Sequence, residues 1–352
     1  MLPIDHAGRT RELGLIDMQS GGDVSRIVYS GVADIPGADA LEKMRYLQSH
    51  GDGLRRLLLY EPYGDPAMSV DLLVAPGDPR AQAGYIIMEA MGYPLYSGSN
   101  TICTATALLQ SGLIPMQEGE QILTLESPLG LVQVTAWNRN GRVEAIVTQG
   151  EPAYVAALGR RVTLPDGTVV DYDVVWSGHF FALLDAEAHG FTLVAEEMPA
   201  LAAFGDAFVR AVREDFQQPH PLLGEVGPVP FAHFMGPLET MGDGYRSRSA
   251  TYVHPGVICR SPTGTGTSAR LALMAARGQI EPGQTLQTIS PRGGSFVGTY
   301  LDDTTVGSRP AINSNIRGSA GTLSHARLLV DLDDPLVDSS DLEHVLSPDS
   351  RG

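Results

Sequence analysis

The 352-residue chain has few of the residues that define several large protein classes. Its two cysteines, Cys103 and Cys259, are too few for a disulfide framework. Basic residues are scarce, with 24 Lys and Arg against 41 Asp and Glu, and the net charge of -17 argues against nucleic acid or an anionic membrane as a partner. No apolar run reaches the roughly 18 residues of a membrane span, and residues 1–14 lack a signal-peptide pattern. We therefore expect a cytoplasmic protein.

The chain also lacks the motifs that hold common cofactors. It contains neither the lysine-bearing phosphate loop nor the G-x-G-x-x-G spacing of a dinucleotide site. Its nine histidines show no metal-ligand spacing. We expect no cofactor and no metal, and the sequence leaves open whether the chain forms a homodimer.

Two short stretches of the sequence match each other. Residues 97–101 read Ser-Gly-Ser-Asn-Thr and continue through a run rich in Ala and Leu to Gly112. Residues 263–267 read Thr-Gly-Thr-Gly-Thr and continue through a run rich in Ala, Leu and Met to Gly278. The matched pair, half a chain apart, indicates a duplicated unit.

Each matched stretch predicts a small-residue loop that leads into a helix. The Ala- and Leu-rich runs favour helix, and the closing glycines suit a left-handed C-cap. The start of such a helix points free N–H groups and a positive partial charge at the loop, which makes an anion site. We predict that backbone N–H groups at Gly98, Ser99, Gly264 and Thr265 bind a substrate carboxylate. The alternative is a pair of well-capped core helices that bind nothing.

Strand-like segments surround both predicted helices, which indicates an α+β fold with two similar halves. The first half covers residues 1–185 and has its central helix at 100–111. The second half covers residues 186–326 and has its central helix at 266–277. A strand near residues 327–340 is predicted to return to the first half.

The two stretches, together with the Gly21-Gly22, Glu61-Pro62 and Gly92-Tyr93 pairs and the run Arg-Ser-Pro-Thr-Gly-Thr-Gly-Thr-Ser-Ala at 260–269, resemble the proline racemase family. This family includes hydroxyproline epimerases and 3-hydroxyproline dehydratases. The resemblance covers nearly the whole chain. It implies a diaminopimelate-epimerase-like fold, in which each half is a curved mixed β-sheet wrapped round a central α-helix. It places the active-site cleft between the halves, at the two helix N-termini, and implies a small-molecule carboxylate substrate.

The chain departs from the family pattern at its reactive positions. The resemblance implies a cysteine at each of two motif positions, and these thiols exchange the Cα proton on opposite faces of the substrate. Here the two positions are Ser97 and Thr263. The histidine two residues after the first cysteine is Ser99, and the aspartate expected to meet the substrate amine is Cys259.

A hydroxyl group cannot simply replace a thiol in this chemistry. A free cysteine has a pKa near 8.5, and a helix N-terminus contributes roughly 0.3 to 2 kcal/mol, about one pKa unit. That shift produces a thiolate near pH 7 but leaves an aliphatic alcohol protonated. Racemisation by Ser97 and Thr263 as two bases is therefore disfavoured.

Thr at the second position resembles trans-3-hydroxy-L-proline dehydratases, which need a base on one face only. We therefore predict a hydro-lyase that converts this substrate to a cyclic imine, with Thr263 holding the 3-hydroxyl. Ser97 would pass the Cα proton to His179, a residue of near-neutral pKa in the strand 176–181. The alternative for His179 is a satisfied histidine at a strand end. The alternatives for function are a 4-hydroxyproline epimerase-like enzyme, an enzyme for another small carboxylic or amino acid, and a catalytically silent binding protein.

Overall fold

The computed structural model describes residues 9–347. The N-terminal part of these residues forms β1 (Thr10–Ser20), β2 (Asp23–Ser30), α1 (Ala40–His50), α2 (Gly53–Leu59), β3 (Ser69–Val74), β4 (Ala83–Met88), α3 (Gly98–Gln110), β5 (Gly119–Ser127), β6 (Gly130–Arg139) and β7 (Arg142–Gln149). The C-terminal part forms β8 (Tyr154–Thr163), β9 (Val169–Trp176), β10 (Phe180–Asp185), α4 (Met198–Asp215), β11 (Phe231–Met235), β12 (Glu239–Met241), β13 (Gly244–Val253), β14 (Val257–Ile258), α5 (Gly264–Ala276), β15 (Thr285–Ile289), β16 (Ser295–Val306), β17 (Arg309–Gly318) and β18 (Ala320–Asp331).

The strands form two sheets with the same order of pairings. The first sheet runs β18-β1-β2-β3-β4-β5-β6-β7, with β2–β3 and β4–β5 parallel and every other pair antiparallel. The second runs β8-β9-β10-β11-β13-β15-β16-β17. In this sheet β10–β11 and β13–β15 are parallel, and every other pair is antiparallel. The repeated pattern confirms the predicted α+β fold with two similar halves.

The two sheets are connected at β7 and β17, which pair antiparallel. The last strand, β18, pairs with β1 along its whole length, from Thr10 opposite Asp331 to Ser20 opposite Ala320. The final strand of the chain therefore completes the first sheet. The predicted boundary at residue 185 assigns β8, β9 and β10 to the first half, whereas these strands pair within the second sheet.

Each half has one helix at its centre. All but the last residue of α3 are buried, and the helix packs against β1, β2, β7 and β18. Helix α5 packs in the same way against β8, β9, β16 and β17. Helices α1 and α2 contribute to the apolar core of the first half, and α4 contributes to that of the second. Surrounded on several sides, α3 and α5 are fixed in position, and so are their N-termini.

The predicted strand around His179 is wrong in one respect. β9 ends at Trp176 and β10 begins at Phe180, so His179 lies in the tight turn between two antiparallel strands. Gly178 adopts a φ of 75°, which the turn requires and which a strand would not allow.

Across residues 9–347, no helix is long and apolar enough to cross a membrane.

Candidate active site

The N-termini of α3 and α5 meet tip to tip. A Cβ atom added to Gly98 would lie 3.7 Å from the Cα of Gly264, and one added to Gly264 would lie 3.6 Å from the Cα of Gly98. These are ordinary van der Waals distances, so the two helix ends lie directly against each other. The structure therefore brings together the two stretches that the sequence singled out.

The helix ends present unpaired N–H groups. The first backbone N–H groups to donate within the helices are those of Thr101 and Thr267, which bond to the carbonyls of Ser97 and Thr263. Within residues 9–347, no acceptor is present for the N–H groups of Gly98, Ser99, Gly264 and Thr265. Two positive helix ends facing one point make a site for an anion of carboxylate size.

Ser97 stands immediately before α3. Its backbone is extended, with φ -151° and ψ 129°, and its hydroxyl makes no capping bond to the helix. The Ser97 Oγ instead lies 3.4 Å from the Oγ of Ser99, which is 9% exposed. Neither hydroxyl contacts a basic side chain in the described residues, so the structure provides no group that would ionise Ser97.

Thr263 stands immediately before α5 in a strained backbone conformation. Its φ of 65° and ψ of 107° lie in a region that a β-branched residue rarely occupies, which costs about 1–3 kcal/mol. The Thr263 N–H donates to the Oγ of Ser261 at 3.1 Å. The Thr263 Oγ1 is buried, and in the described residues its neighbour is the Cys259 thiol, a weak hydrogen-bonding group.

His179 lies near the tip of α5 and differs from the prediction in its pKa. The adjacent Gly178 approaches the side chain of Thr265, and the imidazole packs edge-on against Phe231 at 5.6 Å. Burial lowers the pKa of His179 to about 4, so the ring is neutral at pH 7. Its Nε2 has no partner, and no hydrogen bond joins it to Ser97 in the described residues. The prediction that His179 has a near-neutral pKa and accepts the proton from Ser97 on that basis is therefore wrong about the pKa.

Asp23 is a site residue that sequence reasoning missed. Its Oδ1 accepts hydrogen bonds from the backbone N–H groups of Arg260 at 2.7 Å and Ser261 at 3.0 Å. The start of β2 in the first half is thereby tied to the loop that leads to Thr263 in the second. Burial raises the pKa of Asp23 above its ordinary value.

A second acidic residue, Glu89, lies in the same region. It follows β4 directly and lines a cavity of about 60 Å³ together with Asp23, Ser99, Asn100 and Cys259. Burial and the nearby charge of Asp23 raise the pKa of Glu89 to about 7. The pKa of the Cys259 thiol is also raised by burial, so Cys259 is a neutral thiol at pH 7. Cys103 is fully buried within α3, as the sequence predicted.

No group of three or more His, Cys, Asp or Glu side chains in residues 9–347 is arranged to hold a metal ion. The N–H groups at the two helix tips are the groups of this site that can bind an anion.

The chain is similar to several known proteins over nearly its whole length. The family described as proline racemase matches residues 15–339. A protein of Marinobacter nauticus is 52% identical over 334 residues, which cover 95% of each chain. The 4-hydroxyproline 2-epimerase of Agrobacterium fabrum is 34% identical and covers 97% of this chain and 98% of its own. The crystal structure of a hydroxyproline epimerase from Agrobacterium vitis, with bound trans-4-hydroxy-L-proline, superposes with a TM-score of 0.86 at 32% identity, over 94% of this chain and 95% of the other.

Proposed function

The chain belongs to the proline racemase family, and we propose that it removes the proton from the carbon next to the carboxylate of a small amino acid. The contact between the N-termini of α3 and α5 is the observation that carries this proposal. A carboxylate at this contact would accept hydrogen bonds from two helices at once. The same N–H groups would stabilise the negative charge that spreads into the carboxylate as the proton leaves.

Charge within the cavity supports an amino acid as the substrate. Asp23 and Glu89 both line it, and no Lys or Arg side chain among residues 9–347 does. A substrate amine would carry a positive charge toward these carboxylates while its own carboxylate faces the helix tips. The acidic cavity therefore replaces the aspartate that the family pattern expects at Cys259.

Inversion at Cα is the outcome that the relatives favour, since a 4-hydroxyproline 2-epimerase and a hydroxyproline epimerase are similar to almost all of this chain. Inversion needs a proton acceptor on one face of the substrate and a proton donor on the other. Ser97 and Thr263 are alcohols, and an alcohol is a poor proton acceptor near pH 7. Another group in the cavity must then accept the proton.

Dehydration of trans-3-hydroxy-L-proline is a second candidate, which one feature of the site favours. In the described residues, the Thr263 Oγ1 is paired with nothing stronger than the Cys259 thiol, and it could bind the leaving 3-hydroxyl. This reaction needs a base on one face only, so it does not require that Thr263 ionise.

One panel of substrates tests the proposal and separates its outcomes. The protein is incubated in D2O with both proline enantiomers, trans-4-hydroxy-L-proline, cis-4-hydroxy-D-proline and trans-3-hydroxy-L-proline, and the Cα proton is followed by NMR. We expect exchange of the Cα proton for deuterium in at least one of these acids, with inverted product for an epimerase or a cyclic imine for a dehydratase. The matched control is protein unfolded in denaturant, which should exchange nothing.

Two results would contradict the proposal. Thermal stabilisation by these acids without any exchange would indicate a silent binding protein. Neither stabilisation nor exchange with any of them would place the substrate outside this class of cyclic amino acids.

A further inference from the structure

Asn100 holds the carboxylate of Glu89 in a fixed place at the tip of α3. The hydroxyls of Ser25 and Ser69 both donate to the Asn100 Oδ1, at 2.8 Å and 2.7 Å. Serine hydroxyls can donate or accept, so the amide orientation follows from Glu89: the end that faces an ionised carboxylate is the NH2 group. The Asn100 Nδ2 donates to the Oε1 of Glu89 at 3.2 Å. Paired residues of β2 and β3 thus orient Asn100, and Asn100 orients Glu89.

The cavity that Glu89 lines is bordered by the first turn of α3 and by the segment that leads to α5. On the α3 side, it is lined by Ser99, whose Oγ lies 3.4 Å from that of Ser97. On the α5 side, it is lined by Cys259, whose thiol lies beside the hydroxyl of Thr263. A ligand whose carboxylate sits at the tips would have its next carbon close to this cavity. At about 60 Å³, the cavity holds only a few water molecules, so few would compete with the ligand.

We propose that Glu89, rather than Ser97 or His179, is the general base that takes the proton from the substrate carbon. This inference rests on the function proposed above and names the residue that performs its central step. It is carried by the position of Glu89 in the cavity beside the N-terminus of α3 and by its fixed orientation on Asn100. It also accounts for the absence of a thiol at both motif positions.

The surroundings of Glu89 suit a base that works near neutral pH. The acidic groups nearby are Asp23 at the start of β2 and Asp71 on β3, and the neutral thiol of Cys259 lines the same cavity. Three basic side chains lie nearby. His254 lines the cavity, and the charge of Arg260 lowers the pKa of Asp23. Arg55 donates to the backbone carbonyl of Glu89 at 3.1 Å. Burial and the charge of Asp23 outweigh the hydrogen bond from Asn100, and the pKa of Glu89 rises to about 7. A pKa near the working pH is the optimum for a general base.

The proposed step balances without a further reactant. The C–H bond at the substrate Cα breaks, and an O–H bond forms on the Glu89 carboxylate. The electron pair stays with the substrate and spreads into its carboxylate at the helix tips. Return of this proton to the same carbon restores the amino acid. In D2O, the O–H of protonated Glu89 first exchanges with solvent, and the atom that returns is then deuterium.

A variant that removes only the basicity of this side chain tests the step. Glu89→Gln keeps the size of the side chain and an oxygen that accepts from Asn100. We expect it to slow Cα–H exchange about 1000-fold, within the range of 10²–10⁴ for loss of a general base. Glu144→Gln, at an exposed position of β7, is the matched control and should exchange at the wild-type rate. A Glu89→Gln protein that keeps exchange within tenfold of wild type, or loses less than Ser97→Ala, would overturn the proposal.

A binding measurement tests the same residue without turnover. Pyrrole-2-carboxylate is a planar ring acid whose trigonal carbon imitates the deprotonated substrate. Its negative charge opposes ionisation of a carboxylate beside it, so it should bind the protonated form of Glu89. We expect the Kd to be constant below pH 7 and to rise up to tenfold per pH unit above it. Glu89→Gln should make the Kd independent of pH from 5.5 to 8.5, and Asp23→Asn should move the midpoint to lower pH.

The two tests separate failure of this inference from failure of the proposed function. If wild-type protein exchanges no proton in the substrate panel, the proposed function fails, and the pH dependence of binding still decides whether Glu89 faces the ligand. A pH dependence that is absent in wild type, or that survives in Glu89→Gln, would overturn the role of Glu89. Failure of wild type to bind the planar acid at any pH would overturn both.

Discussion

Replacing Asp23 by Ala is expected to lower the free energy of unfolding by about 2–4 kcal/mol and to slow Cα–H exchange at least 100-fold. The Asp23 carboxylate is the only acceptor in the described residues for the backbone N–H groups of Arg260 and Ser261. Hydrogen bonds to a charged group contribute about 1.5–3 kcal/mol each, and a buried donor left without an acceptor adds a penalty. Burial of the charged carboxylate is itself unfavourable, as the raised pKa of Asp23 indicates. The Ala variant no longer buries this charge, and that gain offsets part of the loss.

The catalytic part of this expectation comes from the loop that Asp23 holds. Thr263 follows Ser261 by two residues and keeps a strained backbone, with φ 65°. A strained conformation persists only where its surroundings fix it. Without the carboxylate, the loop can relax and move Thr263 and the N–H groups of α5 away from the substrate.

Asp23→Asn is the matched control for this prediction. The amide keeps one oxygen to accept from both N–H groups but carries no charge, so we expect it to lose about 1 kcal/mol of stability. Urea denaturation at pH 7 measures both variants. Equal stability of Asp23→Ala and wild type would contradict the structural role given to this carboxylate.

Replacing Arg270 by Ala is expected to lower the free energy of unfolding by about 2–4 kcal/mol. Arg270 lies on α5 and is 4% exposed. Its Nη1 donates to the Ser247 Oγ at 2.7 Å, and its Nη2 donates to the Gly236 carbonyl at 2.7 Å. Burial lowers the pKa of Arg270 to about 10, which still leaves the guanidinium charged at pH 7. The variant loses these hydrogen bonds and leaves a cavity in the core.

Two further variants identify the source of that loss. Arg270→Met keeps most of the volume and removes the buried charge, so we expect it to lose about half as much stability as Arg270→Ala. Arg161→Ala breaks an exposed ion pair with Asp171, in which both side chains are 67% exposed, and should leave the free energy of unfolding almost unchanged. If Arg270→Ala were no more destabilising than Arg161→Ala, the guanidinium would not anchor α5.

The two central helices could be predicted closely because their signal is local. The sequence predicted helices at 100–111 and 266–277, and the structure has them at Gly98–Gln110 and Gly264–Ala276. In both, small residues at the start and a glycine after the end define the element without help from distant parts of the chain. The turn at His179 was missed although a Ser-Gly pair precedes it, because the apolar residues on both sides read as one continuous strand.

The acidic half of the site could not be predicted in the same way. Asp23, Glu89 and Cys259 are far apart in sequence and meet only after the two sheets form. The one local signal is that Glu89 directly follows a buried strand and Asp23 directly follows a glycine turn. The strain at Thr263 has no local signal, since the left-handed region is typical of glycine and not of threonine.

A crystal structure with pyrrole-2-carboxylate tests the central claim most directly. We predict that the carboxylate lies between α3 and α5, with its oxygens about 3 Å from N–H groups of both helices, among them Ser99 and Thr265, and with the ring carbon beside Glu89. A ligand bound by one helix alone, or bound away from the contact between Gly98 and Gly264, would contradict the shared carboxylate site on which the proposed chemistry depends.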